Sequence, residues 1–239
     1  MSRLVESRNA ISVVGAIAIG SVVLLGCSIV AAQNQQLEEK LMALKQHQEV
    51  NKQKLAQYTW QETETISLKG EVKDTKVYQV QMVNGQQQKT EISNQQAQQS
   101  GREGRLKEHV VEKKKEEYQE YGQQIGALAK QYTTPNPEAL MQAKQAGNIS
   151  LVPGNGTASI VIKNYVKQGD SITFTLEPQS KQLQNVSVSS YLNDPSDAVK
   201  ISAEFAQLPD GTNHVASTLI NGVSKQLTIN EQNSNYQMK

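Results

Sequence analysis

The chain has 239 residues, of which 24 are basic and 23 acidic, and its formal net charge is +1. That balance offers no electrostatic case for a nucleic-acid partner. The single cysteine excludes a disulfide framework within the chain. Aromatic residues make up only 5% of the sequence, so we expect a modest core built mainly from Val, Ile, Leu and Ala.

An uncharged apolar run at residues 10–32 follows a short head that carries Arg3 and Arg8. This layout is typical of an export signal, so we interpret residues 1–32 as a signal peptide or membrane anchor. The sequence LLGC at residues 24–27 resembles the lipobox of bacterial lipoproteins. The resemblance implies that the thiol of Cys27 is lipidated and attaches the protein to a membrane.

Two other fates of this segment stay open. Small or modest side chains at residues 30–32 favour cleavage before Gln33 by a general signal peptidase. Alternatively the run is retained as a helix, since its length suits a hydrocarbon core of about 30 Å at about 1.5 Å per residue. Each fate places residues 33–239 on the periplasmic side of the cell envelope, lipid-anchored, helix-anchored or soluble after cleavage. We interpret those residues as one domain.

The domain is expected to begin with a helix within residues 33–57. Apolar residues recur there at alternating steps of four and three, as on one face of a helix: Leu37, Leu41, Leu44 and Leu55. Polar Gln48 and Asn51 interrupt this stripe. Packing of the helix on its own domain is therefore favoured over a short coiled coil, which stays open.

At Tyr58 the period changes from helical to two, which predicts three strands over residues 58–92. Turns are expected at residues 69–71 and at Asn84-Gly85, because both of the latter tolerate positive φ. The strands should form an antiparallel meander. Glu62 and Glu64 share one strand face; such a pair could ligate calcium, but we interpret both as exposed, solubilising residues.

A helical insertion is predicted over residues 93–147. Its long helix should run from about Glu103 to Tyr132, with an apolar stripe on one side and a solvated, charged face around residues 113–117. Pro137 suits the first turn of a short second helix that ends near Gly147. These two helices are the natural candidate for a lid over one sheet face.

Residues 148–236 are predicted to be antiparallel strands. Apolar residues alternate strictly along several segments, for example Ile172, Phe174 and Leu176, Val186 and Val188, and Val199, Ile201, Ala203 and Phe205. Turn signals separate the strands, including Asn221-Gly222. The expected fold class is α+β: a large curved antiparallel sheet, or incomplete β-barrel, with an N-terminal helix and a two-helix insertion covering one face.

No catalytic constellation is visible. His47, His109 and His214 have no paired spacing and no cysteine partner, so neither a zinc motif nor a cysteine nucleophile is indicated. Each histidine is interpreted as a surface or edge residue. We therefore expect no enzymatic activity, no metal and no cofactor.

Element order and three turn segments carry a resemblance to known proteins. The segments are NYVKQGDS at residues 164–171, YLNDP at 191–195 and LPDGT at 208–212. Over roughly residues 35–236 the chain resembles an uncharacterised exported bacterial family whose fold is similar to that of the periplasmic lipoprotein-localisation factors, the Lol carrier and its outer-membrane receptor. The resemblance implies an incomplete barrel whose concave apolar face, capped by helices, holds acyl chains. It carries over no site residue.

The sequence therefore favours a non-enzymatic cell-envelope protein that binds an apolar or lipid ligand between sheet and helices. The candidate ligand contacts are the inward-facing apolar residues Trp60, Met82, Phe174, Val188, Ile201 and Phe205. Taken singly, Phe174, Ile201 and Phe205 are better interpreted as plain core, because every sheet places large apolar residues at period two. The alternative is a membrane-tethered structural or interaction protein with a solid core and a self-associating N-terminal helix. Ligand identity, protein partner and oligomeric state stay open.

Overall fold

The computed structural model describes residue 46 and residues 49–96, 105–133, 137–180 and 182–239. Cys27, His47 and the apolar run at residues 10–32 lie outside these ranges, so lipidation, cleavage and anchoring stay predictions. Within the described ranges, no helix combines the length and the apolar character that a membrane crossing requires.

The described chain contains three helices and ten strands in the order α1, β1–β3, α2, α3, β4–β10. The helices are α1 (residues 49–55), α2 (Arg105–Thr133) and α3 (Pro137–Gln145). The strands are β1 (Tyr58–Leu68), β2 (Glu71–Val83), β3 (Gln86–Gln96), β4 (Ile149–Pro153), β5 (Ala158–Lys163), β6 (Ser171–Leu176), β7 (Leu183–Tyr191), β8 (Ala198–Gln207), β9 (Asn213–Gly222) and β10 (Leu227–Met238).

All ten strands form one open antiparallel sheet in the order β3-β2-β1-β10-β9-β8-β7-β6-β5-β4. Bulges interrupt the register of several pairs, for example between Thr59 and Gln61 in the β1–β10 pair, and bulges bend the strands that carry them. The sheet is not closed, because β3 and β4 are its two edges. The predicted α+β class with a large open antiparallel sheet is confirmed.

Hairpin turns with positive φ build the β1–β3 meander as predicted. Lys69 and Gly70 have φ of 53° and 82°, and Asn84 and Gly85 have φ of 52° and 76°. Two successive residues with positive φ give the turn twist that matches antiparallel strands. The limits of α2 and α3 lie within two residues of those predicted, and Gly147, with φ of 71°, follows the end of α3. The predicted start of the N-terminal helix lies outside the described residues.

The predicted turn at Asn221-Gly222 is wrong. Strand β9 continues through Gly222, and the chain reverses over residues 223–226, where Gln226 has a φ of 51°. Glycine is needed at 222 for space instead: a Cβ there would lie 2.5 Å from Cε1 of Tyr121 on α2. The glycine lets the tyrosine ring lie directly on the sheet.

Helices α2 and α3 connect opposite edges of the sheet, from β3 to β4. Their buried residues, among them Ile125, Leu128 and Leu140, pack with the inward side chains of the strands in one large hydrophobic cluster. Both ends of the buried part of α2 are fixed by tyrosine hydroxyls. Tyr121 donates to Asp197 Oδ1 at 3.0 Å, and Tyr132 donates to Asp170 Oδ2 at 2.6 Å.

A second, smaller cluster lies where α1 meets the sheet. Trp60, Tyr78, Val80 and Met82 form its buried part, and Leu55 packs against it. The side chain of Asn51 also holds α1 in place: Oδ1 accepts from the backbone N–H of Asn213 at 2.6 Å, and Nδ2 donates to the Asn213 carbonyl. The polar interruption of the α1 stripe is therefore a contact with the domain itself.

Candidate functional site

The six predicted ligand contacts fall into two separate groups. Trp60 and Met82 lie in the small cluster beside α1. The other four belong to the large cluster beneath α2 and α3, where Phe174, Val188 and Ile201 are buried and Phe205 is partly buried. The structure thus brings each group together internally and does not join the two.

Trp60 is part of an aromatic and polar network. Its Nε1 donates to Asn233 Oδ1 at 3.0 Å, and its ring stacks on Tyr236 with centroids 5.4 Å apart. The ring of His214 lies 4.2 Å from that of Tyr236. His214 is buried, so its interpretation as a surface or edge residue is wrong; it occupies the inner face of β9, and burial lowers the pKa of its imidazole.

Polar side chains separate the two apolar groups on the inner face. Along β1, Glu62 and Glu64 follow Trp60 at period two, and Glu62 lies opposite Tyr78 on β2. Glu64 lies opposite Glu231 on β10, which in turn lies opposite Thr218 on β9. The acidic cluster, as we call it, consists of Glu62, Glu64, Tyr78, Thr218 and Glu231, together with Lys89 of β3.

The carboxylates of the acidic cluster are almost completely shielded from solvent. Glu62 and Glu231 are 0% exposed and Glu64 is 3% exposed. The expectation that Glu62 and Glu64 are solubilising surface residues is therefore wrong. The physical reason is the strand period: both carboxylates share the face of Trp60, and this is the covered face of the sheet.

Lys89 supplies the principal positive charge. Its side chain, only 5% exposed, forms an ion pair with Glu62 Oε1, and its Nζ lies 3.9 Å from Glu231 Oε1. Nζ is also 5.9 Å from the ring centroid of Tyr78. The aliphatic stem of a lysine suits this arrangement, because it can reach from an edge strand across the apolar surface of its neighbour.

Negative charge exceeds positive charge around the cluster. Asp74 and Lys76, whose charged atoms lie 3.7 Å apart, flank it on β2. With four carboxylates (Glu62, Glu64, Glu231 and Asp74) against two lysines (Lys89 and Lys76), the net charge is −2 when every group is ionised. Burial raises the pKa of Glu64 to about 7, against opposing contributions from Lys76 and Lys89.

Several buried oxygens of the cluster make no hydrogen bond in the part of the chain that is described. They are Glu62 Oε2, Tyr78 OH and Thr218 Oγ1. Nearly all buried polar groups in proteins are hydrogen-bonded, and leaving one unsatisfied costs about 1–3 kcal/mol. The raised pKa of Glu64 and the open hydrogen-bonding positions together make this cluster the best candidate for a functional site.

The cluster is suited to holding protons or ammonium-type cations. Lys89 already places an ammonium group between two carboxylates. Among the described residues, no group of three or more His, Cys, Asp or Glu side chains has an arrangement that could hold a metal ion. The groups present can exchange a proton at Glu64 and accept hydrogen bonds from a donor-rich cation.

Sequence reasoning missed this cluster, although part of its signal was present. Trp60, Glu62, Glu64 and Ile66 alternate on one strand face, which already places the two carboxylates beside large apolar residues. The remaining members come from β2, β3, β9 and β10. Only the strand order brings them together.

Replacing Glu64 with glutamine is expected to stabilise the protein at alkaline pH. The pKa of Glu64 is about 7 in the folded protein against an ordinary value of 4.5. Protonation of Glu64 therefore stabilises the folded state fully below about pH 4.5, and this stabilisation is lost as the pH rises through 7. At pH 8 the glutamine variant should exceed the wild type by on the order of 2–3 kcal/mol, and this advantage should vanish near pH 4.5.

Urea unfolding at several pH values measures this difference. Glu204→Gln provides the control, since Glu204 is exposed on β8. A Glu64→Gln difference that does not change with pH would contradict the assignment.

No protein-family model matches the chain, and no curated protein matches it either. The resemblance to the lipoprotein-localisation fold therefore stays a prediction.

Proposed function

We propose that this is a non-enzymatic cell-envelope protein that binds an apolar or lipid ligand on the inner face of its sheet, beneath α2 and α3. One observation carries the proposal: a wide apolar sheet face is covered by a single helical insertion that joins the two sheet edges. An open sheet of this kind can exchange its cover for a ligand without breaking any strand pair.

The contacts of α2 support such an exchange. Its buried middle is apolar, with Ile125, Leu128 and Ala129 against the sheet. Tyr121 and Tyr132, at either end of that stretch, donate hydrogen bonds to the sheet side, and Glu117 further towards the start of α2 forms an ion pair with Lys225 in the β9–β10 turn. An acyl chain that displaced these residues from the sheet would bury the apolar sheet surface in their place. Such burial contributes a free energy of about 25 cal/mol per Å² of apolar surface.

Lipid extraction of the purified full-length protein, followed by mass spectrometry, tests the proposal. We expect co-purified acyl chains and saturable uptake of a fluorescent fatty acid. Leu128→Ala removes buried volume beneath α2 and should shift the preferred acyl chain towards greater length. Met141→Ala is the matched control, because Met141 is exposed on α3. Absence of extracted lipid together with no uptake of the probe would overturn the proposal.

The second candidate is a membrane-tethered structural or interaction protein with a solid core. The close contact between Tyr121 and Gly222 favours it, since this part of the interface leaves no room even for a methyl group. This candidate predicts self-association through the N-terminal helix, abolished by Leu41→Asp and Leu44→Asp. Both leucines lie outside the described residues. Analytical ultracentrifugation of the wild type and the double variant distinguishes the two functions.

A further inference from the structure

We propose that the acidic cluster binds the ammonium group of an amphipathic amine whose apolar part lies along the neighbouring cluster of Trp60, Val80 and Met82. This inference goes beyond the proposed function, because it places a ligand beside α1 rather than beneath α2 and α3.

The open positions are mainly acceptors. Glu62 uses Oε1 for Lys89, whereas Oε2 makes no hydrogen bond in the described part of the chain. The hydroxyls of Tyr78 and Thr218 are likewise without partners there, and each residue is at least 97% buried. A ligand that satisfies Glu62 Oε2 must donate a hydrogen bond, and hydroxyls can accept further ones.

The negative charge of the cluster favours a cationic hydrogen-bond donor over a neutral one. The groups in and around the cluster sum to −2 when ionised, since four carboxylates face two lysines. A buried excess of negative charge is costly unless it is paired or protonated. One ammonium group supplies both the charge and several donors, and the position of Lys89 between Glu62 and Glu231 shows that the cluster accommodates this chemistry.

Apolar surface next to the cluster selects an amphipathic molecule. Trp60 precedes Glu62 by two residues on the same face of β1, and Val80 follows Tyr78 by two on β2. Trp60 and Val80 are opposite each other in the strand register. A head group at Glu62 would therefore place an attached alkyl chain against buried apolar side chains.

Calorimetric titration of the full chain with octylammonium, octanol and octanoate tests the head-group preference at constant chain length. We expect octylammonium to bind roughly tenfold more tightly than the other two, the effect of about one charge-assisted hydrogen bond. Glu62→Gln should abolish the preference, whereas Glu204→Gln, the same change on an exposed residue, should leave it intact.

Tyr78→Phe guards against variants that fail to fold. It removes a hydroxyl that has no partner among the described residues, so the variant should be at least as stable as the wild type. Weaker binding of octylammonium by this folded variant would support the site.

Equal binding of all three probes would overturn the ammonium site while leaving the proposed function intact. A preference unchanged in Glu62→Gln and Tyr78→Phe would assign octylammonium to the outer surface and also overturn it. Failure of every probe, including a long-chain fatty acid, would overturn both proposals.

Discussion

Replacing Lys89 with methionine is expected to lower the free energy of unfolding by about 3–5 kcal/mol at pH 8. The ammonium of Lys89 pairs with Glu62 and lies 3.9 Å from Glu231, and both carboxylates are 0% exposed. Methionine keeps most of the aliphatic stem but removes the charge. The carboxylates would then be buried together without their principal counter-ion, which is far costlier than losing a surface ion pair.

Urea unfolding with linear extrapolation measures this loss. Lys73→Met is the matched control, because Lys73 forms an ion pair with Glu71 on the exposed part of β2. Removing such a pair changes stability by less than about 1 kcal/mol. The loss in Lys89→Met should also shrink below pH 7, as Glu64 takes up a proton and the cluster carries less negative charge. A loss no larger than that of the control, at every pH, would mean that the cluster is already neutral.

Local chemistry explains which parts of the fold were predictable. The Asn84-Gly85 turn depends on two adjacent residues that tolerate positive φ, and both do have positive φ. Helix α3 begins at Pro137 and is followed by Gly147, which again are signals within a few residues of the structure they specify. The alternation of apolar residues likewise identified the inner face of β6 and β7 correctly.

Long-range pairing explains what was missed. Strand β1 pairs with β10, from the opposite end of the domain, and this pairing places Glu64 beside Glu231. Carboxylates in strands are most often exposed, so local reasoning assigned Glu62 and Glu64 to solvent. Their burial depends on what covers the face, and no pattern within β1 records that.

A glycine that is required for close packing can also be mistaken for a turn residue. Asn221-Gly222 has the composition of a hairpin turn, yet Gly222 lies within β9 because the ring of Tyr121 occupies the position of a side chain. Glycine in a strand therefore has two readings, positive φ or close approach of a neighbour. Only the position of α2 decides between them here.

The segment at residues 164–171, which carried part of the family resemblance, has a structural explanation in its buried aspartate. The carboxylate of Asp170 accepts from the backbone N–H groups of Tyr165, Val166 and Lys167 at 2.6–2.9 Å. Asn164 has a φ of 52°, and its Oδ1 accepts from the N–H of Gly169 at 2.7 Å. These contacts form a closed loop around one carboxylate and explain why β5 ends at Lys163.

Replacing Asp170 with alanine is therefore expected to destabilise the protein by about 3–5 kcal/mol. Three backbone donors and the hydroxyl of Tyr132 would lose their acceptor. Water cannot easily replace it, because Asp170 is only 2% exposed. Thermal or urea unfolding gives the size of the loss, and amide exchange at residues 165–167 shows where it arises.

Two variants separate the loop from the contact with α2. Tyr132→Phe removes only the hydroxyl and should cost about 1 kcal/mol, leaving the amides at 165–167 protected. Asp194→Ala removes an exposed aspartate that caps Ser196 in another turn, and should change stability by less than about 1 kcal/mol. If Asp170→Ala resembled Asp194→Ala in stability and left amide exchange unchanged, water would have to satisfy the loop, and the carboxylate would not be its organising group. If it matched Tyr132→Phe instead, the aspartate would act mainly by holding the end of α2 to the sheet.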